Sequence, residues 1–477
     1  MCILIIDVGS SSVRALLFGH ESALISDAIA RREYHFDANA TTDAHQLRQM
    51  VESCIDEMLI HPSSRDIQAV GMATFVGNLV GVDENNHPLT PLYTYADNRS
   101  RDSANILINQ LDNMDVHQRT GCRIHTAYHP TKLHWLKNSQ PALFASVTDW
   151  QDFATYCYRA WFGRDMPCSY SVASWSGLLN REALSWDDIW LDWLGIDENQ
   201  LPRLANYNDT QLGLNAPYAE RWQVLHDVPF YLAIGDGAGA NIGSGGISPE
   251  YPVLTVGTTS AMRIITPQNK LPHSGLWSYR VDAGHHLVGG ATNEGGNIFA
   301  WAKSVLNLSL SDSDETLLHH DPASYKVIAL PLFNGERSPN YNNSTTGTLH
   351  RIGLHTTALD MLHALLAGVA LRIRIILDVL DTPSDYILAG GGALYQSDAW
   401  AQIFADVLAR PLYVLSEQEV TARGVYLLIK HGGIHNIPIS AMPDNKQFFP
   451  RTHHSQYYAD LLIQQEILYK KLYNTIL

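Results

Sequence analysis

Hydrophobic and polar positions fall into blocks whose period changes along the chain. Ile3, Leu4, Ile5 and Ile6 form an aliphatic run that stops at Asp7, Gly9 and the serines Ser10, Ser11 and Ser12, and a β-prone run from Val13 to Phe18 follows at once. The pattern predicts a strand, a hydroxyl-rich turn and a second strand. A P-loop or a dinucleotide fingerprint places its glycines before a helix, so neither is expected here. TVGTTSAMR at 255–263, preceded by Val253 and Leu254, has the layout of DVGSSSVR at 7–14. Taken alone, the repeat is compatible with chance or with a duplicated architecture.

Helical periods appear at Leu47, Met50, Val51, Cys54, Ile55, Met58 and Leu59, and again at Met361, Leu362, Leu365, Leu366, Val369, Ile373, Ile376 and Leu377. Both faces read as core. Ile387 to Leu412 predicts a strand, a tight glycine turn and one amphipathic helix carrying Trp400, Ile403, Phe404, Val407 and Leu408. The glycine-dense AIGDGAGANIGSGG at 233–246 predicts a junction where the chain turns, with a second domain starting near Tyr251. After a polar passage at 437–450, a last helix with Tyr457, Leu461, Leu462, Ile467 and Leu468 is expected to pack on that domain.

At 477 residues the chain exceeds one ordinary core, and two domains are expected, 1–246 and 247–477. A formal charge of −16 argues against a nucleic-acid partner, because neutralising phosphates needs a Lys/Arg excess. Cys2, Cys54, Cys122, Cys157 and Cys168 are scattered, with no CxxC pair, which suggests neither a disulfide framework nor a zinc site and fits a cytoplasmic location. The short N-terminal apolar run lacks a basic flank, so neither a signal peptide nor a membrane association is expected. The histidine pairs 285–286, 319–320 and 453–454 lack ligand spacing and read as loop residues.

A hydroxyl-rich hairpin turn is an anion cradle, closely approachable where Gly9 has no side chain. Two such turns could hold a polyphosphate between them. Asp7 then suits a Mg²⁺ contact through water, and Arg14 could reach phosphate oxygens. Asp236, between Gly235 and Gly237, is the candidate base for phosphoryl transfer to an alcohol. Read singly, each has a plain alternative: an ordinary hairpin, or an aspartate that orders a loop.

In order, DVGSSSVR, GDGAGANIGSG, TVGTTSAMR, GGATNEGGNIFAW, LPLFNGERSPNY and AGGGALYQSDAWAQIFADVLARP strongly resemble the FGGY carbohydrate kinases across nearly the whole chain. The resemblance implies an α/β fold of two ribonuclease-H-like domains of the actin/hexokinase type, with a sugar and MgATP in the cleft between them. It implies nucleotide contacts at Gly9, Ser10, Ser11 and Arg14, at Gly257, Thr258 and Thr259, and at Gly296, Gly391, Gly392 and Gln396. Ala300 departs from a frequent polar residue of the family. Asp7 and Asp236 match the metal site, and Asp236 the general base. The sugar region, residues 70–100, matches at Val76, Gly77, Asn78, Asp97 and Arg99.

Val76 and Gly77 stand where pentulose kinases of the family usually carry Met-His, which argues against D-xylulose. YADNR, TGCRIHTAYHPTKLHWL at 120–136, Arg263 in GTTSAMR and GGATNEGGN resemble the gluconokinase-like branch. A sugar-acid carboxylate would need a positive partner, and Arg99, Lys132, Arg123 and Arg263 are the candidates. Glu336 and Arg337 read as charges that hold their loop, and Glu294 as a water or metal contact. The expected function is ATP-dependent phosphorylation of a gluconate-like acid, or alternatively of D-xylulose or another ketose or polyol. A sugar sensor or a bare ATPase on the same fold is the rival from another class. Closure about a hinge near 244–252 is expected, and self-association into a homodimer is left open.

Overall fold

The computed structural model describes residues 2–473 apart from 20–23, 270–271, 309, 325, 343, 417–418 and 439–444. The first half builds a five-stranded sheet from β1 (Cys2–Val8), β2 (Ser12–Phe18), β3 (Leu24–Glu33), β4 (Ile67–Thr74) and β5 (Ile234–Gly235), in the order β5-β4-β1-β2-β3. The second half builds a seven-stranded sheet from β6 (Val253–Val256), β7 (Ser260–Thr266), β8 (Trp277–Arg280), β9 (His286–Thr292), β10 (Ile387–Gly390), β11 (Leu412–Leu415) and β12 (Asn445–Phe448). Its order is β8-β9-β7-β6-β10-β11-β12.

β1 pairs antiparallel with β2 and parallel with β4, and β6 pairs antiparallel with β7 and parallel with β10. The run β11-β10-β6-β7-β9 therefore repeats β5-β4-β1-β2-β3 strand for strand. The hairpin echo in the sequence is the visible part of a duplicated sheet. Both are mixed sheets with the wiring expected of ribonuclease-H-like domains.

The helices that matter to the site are α1 (Ala44–Ile60), α2 (Tyr170–Ser174), α3 (Asp236–Gly243), α4 (Gly296–Leu306), α5 (Ala358–Val379), α6 (Gly392–Gln396), α7 (Asp398–Leu408), α8 (Val420–His431) and α9 (Thr452–Tyr473). α1 starts at an Asp43 cap and buries Leu47, Val51, Cys54, Ile55 and Met58 in the first core. α5 starts at a Thr357–Asp360 capping box and buries its apolar face in the second.

Three expectations need correction. The single helix after Gly391 is two, α6 and α7, because Ser397 turns out of the helix and caps the next one by accepting from Trp400 N at 3.0 Å. On α9, Leu461 and Leu468 join the second core as expected and Tyr457 and Leu462 pack half-buried against it, Tyr458 and Tyr469 join it as well, but Ile467 lies on the outer face and is exposed. Of the polar passage before it, 439–444 lies outside the described residues, and 445–448 is β12, which covers the sheet edge at β11.

The third correction concerns only the local structure of the glycine-dense stretch at 233–246, which is mostly helix α3 rather than a turn. Its glycines serve a close helix crossing with α8. A Cβ on Gly243 would stand 1.7 Å from Val420 O, and one on Gly424 would stand 1.9 Å from Gly239 O. α8, from the second half of the chain, thereby packs against α3, β1 and β4. The crossing fixes α3, and Asp236 at its first turn, at the seam between the two sheets.

Candidate active site

A glycine N–H closes each of the turns after β1 and β6: Gly9 N–H donates to Ser12 O, three residues on, at 3.0 Å, and Gly257 N–H to Thr259 O, two residues on, at 3.0 Å. Ser10 of one turn and Thr259 of the other line a single cavity of about 280 Å³, which Thr255, Asp236 and Gly237 also line. Ser11 is exposed at the first turn. Gly296 N–H donates to Gly257 O at 2.7 Å and Asn297 N–H to Thr258 O at 3.3 Å, which seats the start of α4 on the second turn.

An open hollow of about 610 Å³ lies beside that seat, lined by Gly257, Thr258, Gly296, Gly392 and Gln396. Gly391 turns the chain into it at φ +103°, where a Cβ would meet Val256 O at 2.3 Å. Among the described residues nothing lies within 4 Å of a Cβ built on Gly257 or Gly392, so side chains there would project into open space. Flat walls of glycine backbone beside two N–H-bearing turns fit a nucleotide.

Asp236 opens α3, and its carboxylate accepts from Gly237 N–H at 2.8 Å. It faces the cavity but is walled in by protein, and that burial pushes its pKa up to about 6, against the opposing pull of Gly237 N–H and Arg263. Burial pushes Asp7 up to about 7; Arg14 opposes the shift, while Glu419 and Asp236 add to it. The two carboxylates therefore sense each other. Among the described residues no group of three His, Cys, Asp or Glu side chains gathers as a metal site. Two carboxylates suit Mg²⁺, which keeps water and takes phosphate oxygens as its remaining ligands.

Arg14 is already engaged. It donates to Asp7 at 3.3 Å, to Glu419 at 2.7 Å and to Ser12 Oγ at 3.2 Å, so it steadies Asp7.

The far wall of the cavity is aromatic. Trp175, just after α2, stacks on Tyr279 of β8 with centroids 3.7 Å apart, and Trp277 stacks on the same ring at 4.4 Å. Tyr279 OH and Tyr128 OH lie 2.6 Å apart, and His125, Tyr341 and Arg337 complete this end. Apolar ring faces with a few fixed polar groups suit the face of a small carbohydrate. None of these residues was singled out for the sugar site from sequence; they are ordinary aromatics and one arginine on four separate segments, and no local spacing joins them.

The sugar-region matches divide. Val76 and Gly77 line the cavity. Asn78 does not: its amide donates to Phe75 O and accepts from Phe153 N–H inside the first domain. Asp97 and Arg99 are locked to each other by bonds of 2.7 and 3.0 Å, with the guanidinium over Trp135, and they are not among the cavity's lining residues. Lys132 donates to Thr126 O and Asp97 O, and burial pushes its pKa down to about 8. Arg123 donates to Ser274 O at 2.7 Å. Glu336 anchors its loop as expected, paired with Arg372 and accepting from Tyr469 OH at 2.5 Å. Its neighbour Arg337 instead faces the cavity. Glu294 accepts from Asn334 N–H at 3.1 Å and so braces a loop.

A duplicated α/β fold whose two hydroxyl-rich turns share a cavity with a buried carboxylate defines a two-domain phosphotransferase architecture. The description "FGGY family of carbohydrate kinases, N-terminal domain" matches residues 2–243, and its C-terminal counterpart matches residues 253–431. The chain belongs to that family, and is an enzyme of the carbohydrate kinase class with the actin/hexokinase-like fold. It is similar to a gluconokinase of Bacillus subtilis (strain 168), 25% identical over 443 residues, covering 89% of this chain and 86% of the relative. A xylulose kinase of Lactococcus lactis is 24% identical over 447 residues, covering 90% and 87%. Among solved structures, gluconate kinase from Lactobacillus acidophilus superposes with a TM-score of 0.89 at 24% identity, over 99% of this chain and 98% of that one. Among the described residues no helix is long and apolar enough to cross a membrane.

Proposed function

We propose that the protein transfers the γ-phosphoryl group of ATP to a hydroxyl of a small carbohydrate, and that the acceptor is a sugar acid of the gluconate type. The observation that carries the reading is Asp236, a carboxylate at the first turn of α3, open to a cavity that both hydroxyl-rich turns and the aromatic wall share. Similarity to proteins named gluconokinase and gluconate kinase supports the acid. A neutral ketose is the second reading, supported by similarity to xylulose kinases.

In this reading 1–246 and 247–477 are the two domains, and closure about 244–252 excludes water from the transfer. Gly9, Ser10, Ser11, Gly257, Thr258 and Thr259 hold the phosphates, and Gly296, Gly391, Gly392 and Gln396 the adenosine. Asp7, steadied by Arg14, and Asp236 would hold the cation. Bound MgATP supplies the phosphoryl group and a cation that offsets phosphate charge. Asp236 accepts the proton of the attacking hydroxyl as its oxygen bonds to the γ-phosphorus; the bond from that phosphorus to the bridging oxygen breaks, and ADP leaves. Five free, buried cysteines support a reducing, cytoplasmic setting.

The test is ADP release by the purified protein with MgATP and D-gluconate, D-xylulose, glycerol or no acceptor. Release that depends on D-gluconate is the expected result. Release that is the same without any acceptor contradicts the reading and identifies an ATPase.

A further inference from the structure

Of the cations offered by the sequence for a carboxylate, Arg99, Lys132 and Arg123 are engaged away from the cavity or by backbone carbonyls. Arg263 remains and lines the cavity, and Arg337, which the sequence offered only as a charge holding its loop, lines it as well. Arg263 donates through Nη1 to Thr255 Oγ1 at 3.1 Å, and Arg337 through Nη2 to Thr292 O at 2.7 Å. The Nε–H of each has no partner among the described residues.

The two guanidiniums share one cavity, and the charge of Arg337 acts on Arg263. Burial pushes Arg263 down to about 10; Asp236 opposes that shift and Arg337 adds to it. Among the described residues Asp236 is the one carboxylate lining this cavity, so two fixed positive charges face a single negative one. Glu294, which senses the charge of Arg337, has its carboxylate on Asn334 N–H, and no ion pair joins the two.

Both arginines are held without a ligand. The loop of Arg337 is fixed by Glu336 N–H to Asn342 O and Ser338 N–H to Ala291 O, each at 3.0 Å, and by the buried Glu336–Arg372 pair. Arg263 lies in the interior of β7, and its Nε is 3.6 Å from where a Cβ on Gly237 would stand, against the first turn of α3. Two preset, partly unpartnered guanidiniums of like charge are costly unless an anion joins them. A planar carboxylate matches the guanidinium fork, which a neutral hydroxyl does not.

We propose that Arg263 and Arg337 form a two-guanidinium cradle that takes the carboxylate of the acceptor and so selects a sugar acid over a neutral sugar. The inference rests on the kinase reading above. It gives Arg337, on a loop whose charges read as structural, a direct role in substrate choice, and it sets Arg263 between the acid group and the base.

The experiment is steady-state kinetics of the wild type and of Arg263→Gln, Arg337→Gln and the corresponding Lys variants, with D-gluconate, D-xylulose and MgATP varied in turn. KM for D-gluconate is expected to rise roughly tenfold to a hundredfold in each Gln variant and to recover partly with Lys, because charge-assisted bonds are lost and half restored. KM for MgATP should stay within about threefold of wild type if the cradle holds no phosphate. An equal rise in KM for MgATP overturns the proposal, since the cradle would then serve the nucleotide. Equal losses with acid and neutral acceptors overturn it too. Thermal unfolding of the wild type gives a check independent of the variants: D-gluconate should raise Tm and D-glucitol, its uncharged analogue, should not; equal shifts contradict the cradle. If the wild type transfers only to neutral acceptors, or to none, the reading of the function fails. If it transfers to D-gluconate while the Gln variants keep its KM, the cradle alone fails.

Discussion

Arg14 and Glu419, 405 residues apart in sequence, are joined by a 2.7 Å ion pair that ties the first hydroxyl-rich hairpin to the start of α8. Arg14 also reaches Asp7 at 3.3 Å, so a single guanidinium is shared by two carboxylates. Glu419→Gln removes one of them and leaves Arg14 to Asp7 alone. Because a closer cation competes with Mg²⁺ for that carboxylate, the Mg²⁺ concentration for half-maximal activity should rise by roughly threefold to tenfold. A titration of activity with Mg²⁺ at saturating ATP measures it.

Asp236 sets the acid limb of the pH profile. Its carboxyl must be ionised to accept a proton, and burial places its pKa at about 6. kcat/KM should therefore fall as pH drops through about 6, tenfold per pH unit, and level off above it. An acid limb that stays in place when the protein carries Arg263→Gln would show that Arg263 does not hold the base ionised; removing that cation should move the limb to higher pH.

The close crossing of α3 and α8 has no room for a side chain. Gly243→Ala would push a methyl group onto Val420 O, and Gly424→Ala would do the same at Gly239 O. Either substitution should destabilise the protein by about 2–4 kcal/mol, read as a lower midpoint in denaturant unfolding. Gly432, with nothing among the described residues near its would-be Cβ but a left-handed φ of +67°, should lose less on the same substitution.

Lys132 is buried, with its pKa pushed from 10.5 to about 8 by that burial. Above pH 8 the folded protein holds fewer protons at this site than the unfolded chain does, so stability rises between about pH 8 and 10.5 and is lost again as pH falls through 8. Lys132→Met should abolish that component: Tm of the variant minus Tm of the wild type should fall from pH 7.5 to pH 10 when both are scanned in parallel, because only the wild type gains stability over that range.

Sequence pattern revealed most of the framework. Ile3–Ile6 and Val13–Phe18 form the paired strands they predict, and Val253–Val256 with Ser260–Thr266 repeats them. A two-residue period with a turn between is a local signal, and local signals survive reading. The glycines of 233–246 misled because the same residue serves a sharp turn and a close helix crossing; Val420, which decides between them, is almost two hundred residues away. Asp97 and Arg99 are ambiguous for a related reason: a short acid–base pair reads equally as a hydroxyl clamp or as an ion pair satisfied internally, and the structure pairs the two over Trp135. Trp175, Tyr279 and Arg337 were invisible as one site because three distant segments bring them together.

The central claim, that Asp236 takes the proton of an acceptor hydroxyl, is tested most directly by acceptor-dependent ADP release of Asp236→Asn beside the wild type, with ATP binding measured on both. The account predicts turnover lower by roughly a hundredfold to ten-thousandfold, with nucleotide affinity little changed. Turnover by Asp236→Asn at the wild-type rate would contradict it and remove Asp236 from the reaction.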